Sequence, residues 1–562
     1  MRTRYSEIIV KHLIIFSSLL HGLNVSAQNC GCTHIITTPT GGITFDGLAV
    51  TPKVKPGDVL CFQAGTRGRI IMKNIVGTAA NPVIIKNCGG QAIIAANPVT
   101  EVNSNPILMM GCKYFKFTGT GDPSILYGIK ILNGSNGLAL SGLCTNFEIE
   151  HIEISNCSFA GIMAKTDPTC ADPSTWRENF TMYNVSIHHN YVHDVQGEGF
   201  YIGNSFFNSA PPATDICGKK YPHAINGLDV YRNIVKRTGC EGIQVGSAPY
   251  NCKIHDNTID TAGLNPFANF QNNGLQIGSG TGGLCYNNWI NYAPGNGISC
   301  LGIGDNFLYN NIIINPGADT ATIGLGIFMD EQATADSLLG PGMKFINNTI
   351  INSIGNGIRI YNDRIGMNYL YNNIILQYGT NPEYVRRLNS NVQIDLKGNV
   401  FLNDQNAFKF QDFAKYNYHL AFGSPAIAAG VNVAAFGVTY DHSNTPRSAP
   451  YDAGAFAYVP PVTTGLNSQA AAAPALFVYP NPVNISNDQI SLRFYLESDS
   501  EISIQTYDLE GKLIGTENTT FYPSGWNELK TSKSTTAKTK GAIVFVLMAN
   551  GEVKDSQIVI VQ

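Results

Sequence analysis

The sequence predicts an all-β protein, with a parallel β-solenoid as the body of the chain and a small β-sandwich at its end. Three observations carry the solenoid. A triplet ending in asparagine recurs seven times: His188-His189-Asn190, Tyr231-Arg232-Asn233, His255-Asp256-Asn257, Tyr286-Asn287-Asn288, Tyr309-Asn310-Asn311, Ile346-Asn347-Asn348 and Tyr371-Asn372-Asn373. The residue three before each last asparagine is apolar (Ile187, Val230, Ile254, Cys285, Leu308, Phe345, Leu370), and so is the residue two after it (Val192, Val235, Ile259, Ile290, Ile313, Ile350, Ile375). A glycine then opens a second alternating strand, nine residues on in Gly199-Phe200-Tyr201-Ile202, Gly242-Ile243-Gln244-Val245, Gly297-Ile298-Ser299-Cys300 and Gly357-Ile358-Arg359-Ile360. Gly274-Leu275-Gln276-Ile277 and Gly326-Ile327-Phe328-Met329 arrive later and mark insertions.

Each triplet predicts two short strands around a tight bend. Asparagine tolerates φ > 0, so the last asparagine of the triplet is expected in the left-handed region. Successive asparagines lie 23 to 43 residues apart, which gives a basic coil of about two dozen residues with loops let into three coils. No room remains for a helix. From about residue 55 to 420 the chain resembles the right-handed parallel β-helix proteins of the pectin-lyase-like superfamily, in which three strands make each coil and asparagines stack along one turn. That repeat is specific for architecture and says little about activity.

The remaining elements follow in order. Arg2, Arg4 and Lys11 precede an apolar run, Leu13 to Leu23, and then Val25-Ser26-Ala27, so residues 1–27 are expected to be an export signal. No other stretch approaches the ~18 apolar residues of a membrane span. Residues 28–458 form the solenoid and its caps. Gly423-Ser424-Pro425-Ala426-Ile427-Ala428-Ala429-Gly430, Asp441, Pro446-Arg447 and Asp452-Ala453-Gly454-Ala455-Phe456 resemble the closing segment of secreted bacterial β-helix proteins, where Asp441 and Arg447 are expected to pair. A linker at 459–474 leads to a domain at 475–562. There Phe477-Val478-Tyr479-Pro480-Asn481-Pro482-Val483 and Tyr507-Asp508-Leu509-Glu510-Gly511-Lys512-Leu513 are similar to the C-terminal sorting domain of type IX secretion in Bacteroidota, a small immunoglobulin-like β-sandwich. Gly541-Ala542-Ile543-Val544-Phe545 departs from that pattern by lacking an aromatic after the glycine. The resemblance implies a secreted or cell-surface protein that engages the type IX machinery.

Composition sets limits. Charged residues are 14% of the chain and the formal net charge is −4, which argues against nucleic-acid binding. All 13 cysteines follow the expected cleavage site, and the odd count leaves at least one unpaired. Cys30, Cys32 and Cys61, and Cys170 with Cys217, are the disulfide candidates, whereas Cys285 and Cys300 fall in core registers. Cys30-Gly31-Cys32 lacks the second ligand pair a metal site needs.

The inside of a β-helix is packed, so chemistry belongs on an outward strand face or against the loops that wall it. One outward stripe is His188, Tyr231, His255, Tyr286, Tyr309, Ile346 and Tyr371, either a stacked surface ladder or a sugar platform. A second is Tyr201, Gln244, Gln276, Ser299, Phe328 and Arg359, preceded by Glu198, Glu241, Asn273, Asn296, Leu325 and Asn356. Glu198 and Glu241 thus occupy equivalent places on consecutive coils, roughly 5 Å apart in backbone. They fit an acid and nucleophile pair, a calcium site, or two solvated turn carboxylates. Insertions holding Trp176, Lys219, Lys220, Tyr221 and His223, and then Phe267 and Phe270, gather on the same coils, as does Lys165. Asp330-Glu331, Arg359 and Asp363-Arg364 form a weaker second cluster.

The β-helix resemblance implies a polysaccharide lyase or a glycoside hydrolase. In a lyase, Lys165, Lys220, His223, Tyr201 and Arg359 supply base and charge neutraliser, Glu198 and Glu241 hold calcium, and Gln244, Gln276, Arg359, Phe267 and Phe270 bind the polymer. In a hydrolase, Glu198 and Glu241 are themselves the catalytic pair and no metal is needed. The Gly-His-Gly and Asn-Thr-Asp motifs of polygalacturonases are absent, as are the Asp-His and Arg-Xaa-Pro-Xaa-Xaa-Arg motifs of pectate lyases. β-Elimination on an acidic polysaccharide is the leading expectation, a hydrolase and a non-catalytic glycan-binding adhesin the alternatives.

Overall fold

A computed structural model describes residues 30–37, 41–317, 324–330, 340–377, 382–460, 476–479, 490–508, 512–517, 519–531 and 541–561. The expected leader, most of the linker and Glu331 lie outside them. The body is a right-handed parallel β-helix. One sheet of 12 parallel strands runs in chain order from Ile43–Asp46 to Val385–Arg387, and a second sheet of 23 strands takes two strands from most coils. Thr181–His188 and Tyr191–Val195 are one such pair, bent at the asparagine triplet. All fourteen apolar positions flanking the triplets are buried.

The bend differs from expectation in one respect. The left-handed residue is the middle one of each triplet, His189, Arg232, Asp256, Asn287, Asn310, Asn347 and Asn372, with φ between 53° and 56°. The last asparagine instead turns inward and is buried. Its Nδ2 donates to Oδ1 of the next rung, from Asn190 to Asn233, Asn257, Asn288, Asn311, Asn348 and Asn373, at 3.0 Å each. The same Nδ2 also donates to a strand carbonyl, as from Asn288 to Ile254 at 2.9 Å. The position calls for a planar amide that donates and accepts at once, which asparagine supplies and an aspartate carboxylate does not.

The stripe from His188 to Tyr309 is a continuous ring stack, with centroids 4.5 to 5.1 Å apart. It is not an open platform. Val433, Val438 and Phe436 of the closing segment cover its later rungs, and Tyr371 is 6% exposed. Asp441 and Arg447 do not serve as the expected pair: Asp441 accepts from the N–H groups of Ser443, Thr445 and Ala457, while Arg447 Nη2 donates to Asn310 Oδ1 and to two carbonyls. Both act as struts for a loop whose own backbone makes a single antiparallel bridge, between Tyr440 and Pro446.

Three disulfides join Cys30 to Cys88, Cys32 to Cys61 and Cys170 to Cys217. The remaining seven cysteines are buried thiols, Cys285 and Cys300 among them. The C-terminal strands form a sheet of three and a sheet of five strands around Leu492, Phe494, Ile504, Phe545 and Leu547. That sandwich meets the solenoid through Arg232 and Glu528, at 3.1 Å. Among the described residues no helix is long and apolar enough to cross a membrane.

Candidate active site

The outer face of the 12-stranded sheet carries Met163, Tyr201, Gln244, Gln276, Ser299, Phe328 and Arg359 in strict register. A short alternating strand can do nothing else once Phe200, Ile243 and Leu275 point into the core. Tyr201 Oη lies 3.1 Å from Ser205 Oγ, Gln244 Nε2 donates to the same Ser205 Oγ at 3.2 Å, and Gln276 Nε2 donates to Gln244 Oε1 at 3.1 Å. Lys165 leaves the preceding strand and lays its ammonium 4.9 Å from the centre of the Tyr201 ring, where Asp167 holds it at 3.0 Å. Lys165, Tyr201, Gln244 and Gln276 therefore form one polar patch. Ser205 and Asp167 complete it; neither stands out in the sequence, because both sit in insertions with no repeat to align them.

At the edge of this patch runs a second polar row, two residues ahead of each inward strand position: Asn105, Asn136, Glu198, Glu241, Asn273, Asn296 and Asn356, broken only by Ala160 and Leu325. Asn136 Nδ2 donates to Asn105 Oδ1 at 3.1 Å, Asn296 Nδ2 to Asn273 Oδ1 at 2.9 Å, and Asn273 Nδ2 to Glu241 Oε1 at 3.0 Å. The glutamates replace amides in a ladder. Gly199 N–H donates to Glu241 O at 3.0 Å, which places the pair on adjacent coils. They are not solvated turn carboxylates: Glu198 is 1% and Glu241 0% exposed, and Oε2 of each has no partner. Burial pushes the Glu241 carboxyl up to about 8, with the Glu198 charge adding to the effect. Burial raises Glu198 as well, against the opposing pull of the Lys165 ammonium. With its carboxyl raised to about 8, Glu241 keeps its proton at neutral pH.

The loop from 264 to 273 roofs this edge. Phe267 stacks on Phe159 with centroids 5.8 Å apart and lies against Gly197, Phe159 meets the Tyr201 ring edge-on at 6.1 Å, and Asn273 Nδ2 donates to Phe270 O at 2.8 Å. Phe270 itself is 87% exposed.

The other sequence-derived candidates lie apart. His223 is fully buried; its Nε2 accepts from Thr166 N–H at 3.1 Å and its Nδ1 donates to Ala224 O at 3.0 Å. Burial lowers it to about 4, so it is a neutral strut with no free lone pair. Lys220 sits on the Trp176 ring at 3.9 Å beside Glu178 on the insertion wall. Arg359 is four strands beyond Gln244, about 19 Å along the sheet by strand spacing, and donates to Asn356 Oδ1 at 2.8 and 2.6 Å. Calcium does not fit Glu198 and Glu241. It takes six to eight oxygens, whereas here Asn273 presents an N–H and the carboxyls favour their neutral form.

No protein-family model matches the chain, and no curated protein does. Among solved structures it is similar to pectate lyase Pel9A, with 14% identity over 77% of this chain and 99% of that one, at a TM-score of 0.35. A PL6-family polysaccharide lyase from Pseudopedobacter saltans is 13% identical over 74% of this chain and 99% of its own, at 0.33. An alginate lyase from Paenibacillus is 14% identical over 65% and 96%, at 0.25.

Proposed function

We propose that the protein cleaves an acidic polysaccharide by β-elimination at the Lys165–Tyr201 patch. The observation that carries this reading is a lysine ammonium and a phenol in contact on the outer strand face, beside hydrogen-bonded glutamines and next to the Glu241 carboxyl, raised to about 8. β-Elimination needs a group that takes the proton next to the uronate carboxylate, a donor for the leaving oxygen, and positive charge or N–H groups to offset the carboxylate. Tyr201 Oη, acting as a phenolate, takes the proton next to the carboxylate and returns it to the leaving oxygen as the C–O bond breaks. Lys165 supplies the charge, and Gln276, braced by the buried Gln244, orients the sugar. Glu241, buried at the edge of the patch with its carboxyl raised to about 8, adds no negative charge there to repel a uronate. The same burial disfavours a glycosidase, which needs one ionised carboxylate facing the sugar. The proposal uses no calcium.

Phe267 and Phe270 wall the patch for the incoming chain, while Lys220, His223 and Arg359 take no direct part. The disulfides accord with an oxidising compartment, so we place the protein outside the cytoplasm, secreted or held at the cell surface. Its C-terminal sandwich would serve as the type IX sorting domain. Incubating the full chain with alginate and with polygalacturonate, and following the absorbance of unsaturated ends, tests the reaction. Loss of that absorbance in Lys165→Ala and Tyr201→Phe supports the site; full activity in both removes it.

A further inference from the structure

We propose that a second glycan-binding strip lies on the outer face of the 23-stranded sheet, apart from the Tyr201 patch, and grips an extended polysaccharide along the solenoid axis. Tyr183, Asn226 and Tyr250 are register partners on three consecutive coils. The two tyrosines are 45% and 55% exposed and sit two strand spacings apart, about 9.6 Å. Rings at that separation cannot stack on each other. This distinguishes them from the row between His188 and Tyr309, where every coil supplies a ring and neighbours bury one another.

Half-exposed, Tyr183 and Tyr250 keep ring surface available to a ligand. Their ring faces and hydroxyls suit the C–H face and hydroxyls of a sugar. One sugar of an extended chain is close in length to one strand spacing, so Tyr183 and Tyr250 meet every second sugar and Asn226 meets the one between. Polar groups flank the rings. Asn184 Nδ2 donates to Asn146 Oδ1 at 2.8 Å and Asn251 Nδ2 to Asn226 Oδ1 at 2.9 Å, both at the surface. Left-handed backbone at Asn146, Asn184 and Asn251, with φ of 56°, 49° and 54°, stands these amides up beside the rings. Gly227 leaves a notch between them: a Cβ there would come within 3.0 Å of Asn184 Oδ1. The strip lies on the 23-stranded sheet and Tyr201 on the 12-stranded one, so polymer bound here is held on a different face from the cleavage patch.

The test is affinity electrophoresis of the full chain through gels cast with alginate, polygalacturonate or glucomannan. Wild type is expected to be retarded by at least one polymer. Tyr183→Ala/Tyr250→Ala should weaken the apparent affinity about tenfold, the scale of losing aromatic stacking, while Tyr183→Phe/Tyr250→Phe keeps most of it and all thermal midpoints agree. Unchanged retardation of the alanine variant, or no retardation of wild type by any polymer, overturns the strip. If the alanine variant loses affinity but wild type cleaves nothing, the strip stands and the β-elimination reading fails. If it cleaves and the alanine variant migrates as wild type, the reverse holds.

Discussion

Glu241 carries a titration that solution measurements can read. An unfolded glutamate loses its proton near its ordinary value of 4.5, whereas the folded protein keeps the Glu241 proton to about 8. Between those values the folded state binds the extra proton, so its contribution to stability falls as pH rises through that window and is fully present below it. The melting temperature of wild type is expected to decline from pH 5 to 8 more steeply than that of Glu241→Gln, whose amide can donate at every pH. Parallel slopes would mean that the pair is ionised. At the patch, Tyr201→Phe removes the oxygen proposed to transfer the proton and is expected to lower kcat by about 10²- to 10⁴-fold, with binding little changed. The positions of Glu198 and Glu241 were legible from the repeat; their burial was legible only in the company they keep. Asn273, Asn296 and Asn356 at the same offset mark an amide ladder, and a glutamate in such a ladder is an acid without water. His223 gave no such warning, since an insertion has no register to show which way its ring faces.

Among the elements, the asparagine bend gives the sharpest contrast. Asn288→Ala removes donors to Ile254 O and Asn311 Oδ1 and strands Asn257, a loss of about 2–4 kcal/mol by chemical denaturation. Its neighbour Asn287 is left-handed, with φ of 53°, and Asn287→Gly should change stability by less than about 1 kcal/mol. The triplet told the sequence reader that a bend exists but not which residue turns it, because asparagine suits both a left-handed turn and a buried ladder. The strands themselves were plain, since apolar positions three before and two after the asparagine leave only one face to bury. The disulfide from Cys170 to Cys217 pins one insertion to the next and was readable as a candidate, while Cys88, the partner of Cys30, was hidden in a strand.

For the whole molecule, the β-helix was evident from period and pattern, whereas the covering of the aromatic row was not. That covering depends on where the closing segment Val431 to Val438 folds back, a long-range contact no local pattern encodes. The proposed chemistry depends on a patch assembled from four coils and two insertions, and it calls on no metal. Cleavage should accordingly be unchanged by chelator, and a loss of activity restored by calcium would require a donor set other than Glu198 and Glu241. The most direct measurement is the absorbance of unsaturated ends released from alginate and polygalacturonate by the full chain and by Lys165→Ala. The account predicts unsaturated products from at least one polymer with wild type and their loss in the variant. Saturated products, or no cleavage of either polymer, would contradict it.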